Sequence, residues 1–488
     1  MFGLDATAWS GPTLPPDPAA ANGFTNNTDR LGVAEDHARG LADMARQVAT
    51  LATSDANLAR LLPCAAQATD ACAATFLDGL GQRLYRRPLT AAERGRYTAL
   101  LTKIRAARGD FKSWVYWSLT AMLQSPNMLY RSEMGDPAGA GTYKLSQYEI
   151  ATALAYTYTG GPPAADLLML AAGNALTSPD QIEAAARNLV YDPAGHARPA
   201  FARVLADFTD QWLGLSAIMN IQKDPVQFPD FGLMVQSSLA EETHRFVAGV
   251  MFESKGKPAD LLTAPYTYVD TTLAGYYRFG QAPATGFVKV ARPDGWGLGL
   301  LGQGAFLAVD ATTLATSPTK RGHMVRERLL CQKVPPPPPV VKPLPEPTAA
   351  NTTRQRYETL HAVDDSCRSC HLLMDPIGFG LEHLDASGRY RIKEGVYDID
   401  DSGTIGTTSA GDIAFQGAAD LSGKLAQLPE TSDCVGAFMA ANAFGMDQND
   451  TVCMVRSALG ELRAGTVGLA DFYVRMSRSE HFRNRTAR

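Results

Sequence analysis

Long hydrophobic runs are missing from this sequence. A stretch such as GLGLLGQGAFLAV (297–309) is broken by glycine and falls short of the ~18 residues a membrane-spanning helix needs. The opening residues, MFGLDATAWSGPTLPPDP, have neither a basic n-region nor an apolar h-region, so they do not form a signal peptide. Neither sign of charge dominates. With 45 Lys+Arg against 50 Asp+Glu and a net charge of -5, the chain is not a basic nucleic-acid binder. At 45% hydrophobic and 19% charged residues it is not a disordered chain either. There is no GxSxG, P-loop, dinucleotide fingerprint or HExxH. Taken alone, these absences place the protein in the cytoplasm.

What is present is 488 residues, enough for two to four domains or one large multi-lobed body with ample core. Residues 1–30 are rich in Pro, Gly and Asn and read as an irregular surface segment. Leu41, Met44, Val48 and Leu51 share a helical face, predicting a helix from about Val33 to Leu62. A second amphipathic segment runs through Phe76, Leu80 and Leu84 and stops at Arg86-Arg87-Pro88. Thr90-x-x-Glu93 and Ser146-x-x-Glu149 have the form of capping boxes, the latter with Leu145 and Ile150 as a hydrophobic staple. A helix through Trp114, Trp117 and Met122 separates them, and Ser178-Pro179-Asp180-Gln181 opens another. Helical patterns continue over 201–215 and 239–252, whereas 264–310 reads as irregular and Gly-rich. The expected fold is mainly α, a multi-lobed helical body with a distinct C-terminal region and few short strands. At 334–347 the composition shifts to proline, and a polyproline strap there would span roughly 40 Å. The alternative is a ligand for a proline-binding domain.

Cysteine is scarce, seven in the chain, and two stand in Cys367-Arg368-Ser369-Cys370-His371. This is the pattern of c-type haem attachment: two thiols form thioethers and the adjacent His371 supplies the proximal nitrogen to iron. With 7 Cys and 8 His, chance produces the pattern on the order of once in several hundred such chains. A redox dithiol lacks its βαβ setting, and a zinc site would need further ligands such as His361 and His383. Met374, three residues after His371, falls on the same helical side and is expected to pack at the ring edge, not to ligate. Asp375-Pro376 is expected to end the helix.

The flanks, HAVDDSCRSCHLLMDPIGFGLEHLDASGRYR (361–391), resemble the planctomycete-type cytochrome c domain, also abundant in myxobacterial proteins. His361, Met374-Asp375-Pro376, Gly378-Phe379, Leu381-Glu382, Asp385, Gly388 and Arg391 carry the resemblance. It extends to GQRLYRRPLTAAE (81–93), LQSPNMLYRSE (123–133), TSPTKRGHMVRERLLCQKVPPPPP (316–339) and the Cys434…Cys453 segment, which look like the associated domains of unknown function. The implied organisation is 1–62, the remnant of an N-terminal module plus a helix; 63–137 and 138–280, helical domains of unknown function; 281–395, a cytochrome c-like domain including the strap; and 396–488, a C-terminal helical domain. GFTNNTDRLGV (23–33) resembles the tail of the family's N-terminal module, which implies that Met1 is an internal start or a fragment boundary.

The implied cofactor is one covalent haem c, held by Cys367, Cys370, His371 and Met374. Its sixth ligand is His361, one of Met439, Met446 and Met454, or none; the methionines also fit core positions. Covalent attachment occurs outside the cytoplasmic membrane. It therefore overrides the cytoplasmic placement and puts the protein in the periplasm or at the cell surface. That setting favours disulfides at Cys64/Cys72 and Cys434/Cys453 over buried thiols and leaves Cys331 buried and inert.

Three readings of function follow: electron transfer to a redox partner protein, a peroxidase- or oxygenase-like haem enzyme with an open distal site, and a surface scaffold binding polysaccharide or protein. Nucleic acid is not an expected partner, and no enzyme activity follows from the motif alone. Asp398-Ile-Asp400-Asp-Ser402-Gly403 resembles a calcium loop but has Ser409 at position twelve, and reads as a polar turn. Arg83, Arg86 and Arg87 offer charge for haem propionates or for ion pairs with Glu93. Glu241-Glu242-Thr243-His244 has acid–base residue types but no partner pattern, and reads as a solvated helix face.

Overall fold

The computed structural model describes residues 11–18, 23–254, 256–280, 283–335, 344–348, 350–361 and 365–486, without the side chains at 360, 361 and 365–367. The fold is mainly α with a few short strands in small sheets. The chain forms two compact units. Residues 1–18, 28–189 and 477–488 make the first, and 19–27 with 190–476 make the second.

In the first unit the expected helix over 33–62 is two, Glu35–Ala52 and Asp55–Leu61. Its interruption has a local cause. Thr53 Oγ1 donates back to the Ala49 carbonyl at 2.7 Å and Asn57 Nδ2 to that of Leu51 at 2.9 Å, so polar side chains compete for the ladder. Both capping boxes form, opening the helices Ala91–Ala106 and Gln147–Thr159. Trp114, on the helix Phe111–Leu123, is fully buried among Phe76, Phe111 and Leu119, and its indole N–H reaches the Tyr97 carbonyl at 2.9 Å. Cys64 and Cys72 are joined by a disulfide. Arg87 pairs with Glu93 at 2.9 Å, while Arg86 is buried and donates to the Asn127, Met128 and Tyr130 carbonyls. The strand Asn484–Thr486 returns to pair antiparallel with Thr142–Lys144.

The second unit has an aromatic core in which Phe208 stacks on Trp212 and meets Tyr473 edge-on. Two parts of it differ from the sequence reading. Residues 264–310 contain an antiparallel pair, Tyr266–Val269 with Val288–Ala291, whose members are only four residues each and carry no long alternation. Glu241–His244 is no solvated face. It lies in the helix Leu233–Glu253, where Glu242 and Thr243 are completely buried. The Glu242 carboxylate accepts from Thr267 at 2.5 Å and Tyr277 at 2.6 Å and faces Arg292 at 3.3 Å. Burial pushes its pKa upward against these partners. A charge is tolerated inside because every neighbour answers it. His244 Nε2 meets Asp210 at 2.6 Å.

Of the strap, residues 336–343 lie outside the described residues; beyond it, Arg356 holds the Pro345 carbonyl at 2.8 Å. Asp400 Oδ1 closes its turn on Ser402 Oγ at 2.6 Å, ahead of the hairpin Ser402–Thr408/Gly411–Gln416. Among the described residues no helix is long and apolar enough to cross a membrane.

Candidate haem-attachment site

The CxxCH motif lies on the helix Asp365–Phe379. That helix does not stop at Pro376; it continues to Phe379. Proline removes a single ladder hydrogen bond near the helix end, a loss that tertiary contact outweighs here. The contact is with the helix Pro318–Met324. A Cβ on Gly322 would stand 1.9 Å from the Met374 carbonyl oxygen, and one on Gly378 would stand 2.1 Å from that of Pro318. The two backbones touch where only glycine fits. On another side, a Cβ on Gly403 would meet the Pro376 carbonyl at 2.2 Å.

Buried arginines complete the clamp. Arg321, wholly buried, donates to the Leu381, Leu384 and Asp385 carbonyls at 3.0, 2.7 and 2.8 Å. Arg326, on the widened π turn Val325–Leu329, reaches the Leu373 carbonyl and, at 3.1 Å, that of Gly406. Most of the motif-flanking residues singled out above are therefore scaffold. Glu382 is buried between Thr316 at 2.7 Å and Arg391 at 2.8 Å. Asp385 closes its own turn by accepting from Ser387 and Arg389, and Gly388, at φ +83°, presses on Gly304.

His371 is half-buried and held by its Nδ1. That nitrogen lies 2.8 Å from Asp375 Oδ2, so its N–H donates to the carboxylate and Nε2 lies on the opposite side of the ring. Thr319 Oγ1 donates to Asp375 Oδ1 at 2.6 Å and stands 3.3 Å from His371 Nδ1. The Asp375 hydrogen bond raises the His371 pKa, against a smaller opposing effect of burial. Tyr357 lies beside the ring, centroids 6.4 Å apart. Cys370 is a half-buried free thiol next in sequence, and Leu372, on the other flank, is 60% exposed. Met374 is buried. The side chains of Cys367 and His361 lie outside the described residues.

The donor set suits a c-type haem: an oriented imidazole, an adjacent thiol and an exposed apolar neighbour on a rigid helix. His383, weighed above as a zinc partner, instead sends Nδ1 to the Arg391 carbonyl at 2.8 Å and stacks on Tyr390. Among the described residues no group of three or more His, Cys, Asp or Glu side chains is placed to hold a metal ion. Met439 is core, at 2% exposure, while Met446 and Met454 are half-buried.

Cys434 is joined to Cys331, not to Cys453. The helix Pro429–Phe444 turns Cys434 toward the 325–331 turn, with its sulfur 3.7 Å from the Arg328 carbonyl, whereas Cys453 is exposed and free. An open cleft of about 380 Å³ lies at this disulfide, lined among others by Arg328, Lys333, Asp433 and Asp447.

Sequence reading missed the role of two residues of the site. Asp375 stands four after His371, the spacing that puts side chains on one helix face, so it was visible as more than a helix stop. Thr319 lies 56 residues upstream of Asp375 and carries no local signal.

No curated protein and no solved structure matches the chain. Three family models do, each described as a protein of unknown function: DUF1595 (PSD5) over residues 72–133, DUF1592 (PSD4) over 145–279 and DUF1588 (PSCyt3) over 298–394. The last contains the CxxCH helix, the helix that crosses it and the turn that Arg321 ties down. The chain thus belongs with the planctomycete cytochrome-type domain families of unknown function.

Proposed function

We propose that the protein is an extracytoplasmic single-haem c-type cytochrome that passes one electron at a time through the haem edge to a partner protein. The observation that carries this reading is the CxxCH motif on a clamped helix, with the His371 ring aimed by a buried carboxylate. Bound there, haem c would supply a one-electron Fe(III)/Fe(II) couple. The chain's own part is geometric. Cys367 and Cys370 tether the ring, Asp375 fixes the tautomer and direction of His371, and the crossing helix stops the site from relaxing when charge changes. The two disulfides agree with an oxidising compartment.

A second reading, a haem enzyme with an open distal side, is favoured by one observation: a carboxylate behind the proximal imidazole increases electron donation to iron. A visible spectrum of protein expressed with a cytochrome c maturation system, with and without carbon monoxide, separates the two. A low-spin spectrum indifferent to carbon monoxide is expected for the cytochrome. Carbon monoxide binding at an open site transfers the assignment to the enzyme. No covalent haem absorbance, or absorbance that survives Cys367→Ala with Cys370→Ala, overturns both.

A further inference from the structure

We infer that Asp375, loaded by the Thr319 hydroxyl, tunes the electron donation of His371 and so sets the Fe(III)/Fe(II) balance of the site. This rests on the reading that the CxxCH motif carries haem. The hydrogen bonds described for Asp375 run to two groups only, His371 on one oxygen and Thr319 on the other. At 4% exposure the carboxylate is shielded from water, so its charge acts on the imidazole at undiminished strength. A full negative charge on the far side of the ring draws the Nδ1 proton toward itself, makes Nε2 more basic and stabilises the higher oxidation state of a metal bound there. The Thr319 proton opposes this. By donating to Asp375 it takes up part of the carboxylate's acceptor strength, and less remains for His371.

The arrangement is rigid. His371 and Asp375 share one helix, and Thr319 is brought to Asp375 by the helix whose Gly322 contact fixes the separation. The two residues thus act on the same ring in opposite directions. Asp375 and Thr319 are positioning residues here, since neither reaches the metal.

The opposition makes the test. Asp375→Asn keeps an acceptor oxygen and removes the charge. It should shift the ferric–ferrous equilibrium about tenfold toward ferrous, which is about 59 mV upward for one electron, and raise the largest g value of the low-spin ferric EPR signal. Thr319→Val leaves the carboxylate in place and removes its donor. It should move both readouts the other way by a smaller amount, and Thr319→Ser should restore them. A merely structural role predicts shifts of one sign for both, accompanied by a lower melting temperature. Wild-type potential and g values in a normally loaded Asp375→Asn protein would overturn the inference and leave the cytochrome reading standing. Should Asp375→Asn not load, Thr319→Val decides alone: a lowered potential supports the inference, and an unchanged or raised one overturns it. A wild-type chain without covalent haem is the separate failure that sinks the underlying reading and this inference together.

Discussion

The two units hold their helices by different means. In the first, helix starts are set locally, by capping boxes at Thr90 and Ser146, an Arg87–Glu93 pair beside one of them and a disulfide across a separation of 8 residues. Its longer ties include Arg86 on the 127–130 carbonyls and the strand pairing of 142–144 with 484–486. In the second, the CxxCH helix is held from far along the chain. Backbone meets backbone at Gly322 and Gly378, buried Arg321 and Arg326 bind carbonyls up to 80 residues away, and a disulfide joins residues separated by 103. Local devices make a helix start in the right place. Long-range ones fix where it lies against a neighbour, and a precisely aimed side chain depends on the second kind.

The contrast can be broken most directly at the glycine contact. Gly322→Val should destabilise the second unit by more than the about 1–3 kcal/mol usual for overpacking, because the obstacle is backbone and cannot rotate away. Thermal melting and limited proteolysis should show the second unit opened and the 28–189 body intact; equal melting of variant and parent would remove the clamp from the account. Next come the disulfides. Chain entropy assigns about 4–5 kcal/mol to closing a loop of 103 residues and about 2–3 kcal/mol to one of 8, so Cys331→Ser should lower stability more than Cys64→Ser. Denaturant titrations that reverse the order would make native-state strain, not loop length, the governing difference.

A smaller effect should come from Glu93→Gln, about 2 kcal/mol, since it removes the charge from a nearly buried pair and weakens a capping box. Hydrogen bonds from Arg87, opposed by burial and aided by the Thr90 backbone, lower the Glu93 pKa to about 2. A carboxylate pKa depressed by folding contributes stability that is present above the usual carboxylate range and lost as pH falls toward 2. An acid-unfolding curve should therefore flatten in the Gln variant, and an unaltered curve would count against the pair.

The smallest effect belongs to the second unit. His244 is disfavoured as a cation by burial, but hydrogen bonds to Asp210 and Glu241 prevail and raise its pKa to about 9. A histidine pKa raised by folding gives stability that is complete below the unfolded value of about 6.5 and lost as pH climbs through 9. Melting temperatures between pH 6 and 10 should fall in the parent and less in His244→Gln; parallel curves would show the His244–Asp210 contact to be energetically idle.

The same contrast explains what could be read from the sequence. Thr90/Glu93 and Ser146/Glu149 were legible because a capping box is complete within four residues. The CxxCH motif was legible for the same reason. The partner of Cys434 was not: spacing favoured Cys453, and only the packing of the helix Pro429–Phe444 on the 325–331 turn selects Cys331. Glu242 was misread as solvated because the partners that make its burial tolerable, Thr267, Tyr277 and Arg292, arrive from 25 to 50 residues downstream. Asp375 is the intermediate case. Its spacing from His371 was visible, yet its meaning depends on Thr319, which only the crossing of two helices supplies.

The long disulfide bears on how such a molecule can be made. Cys331 and Cys434 bracket the stretch that contains Cys367 and Cys370, and Cys453 is an exposed thiol within reach of exchange reagents. In an oxidising compartment the five thiols from Cys331 to Cys453 would compete for pairing, so a correct outcome becomes a matter of sequence in time. Residues 367–371 emerge before Cys434 does. On the reading proposed above, haem attachment completed in that interval would withdraw two thiols from competition and leave Cys331 waiting for a partner not yet delivered. The order of synthesis would then protect the product, with the bridge to Cys434 closing last.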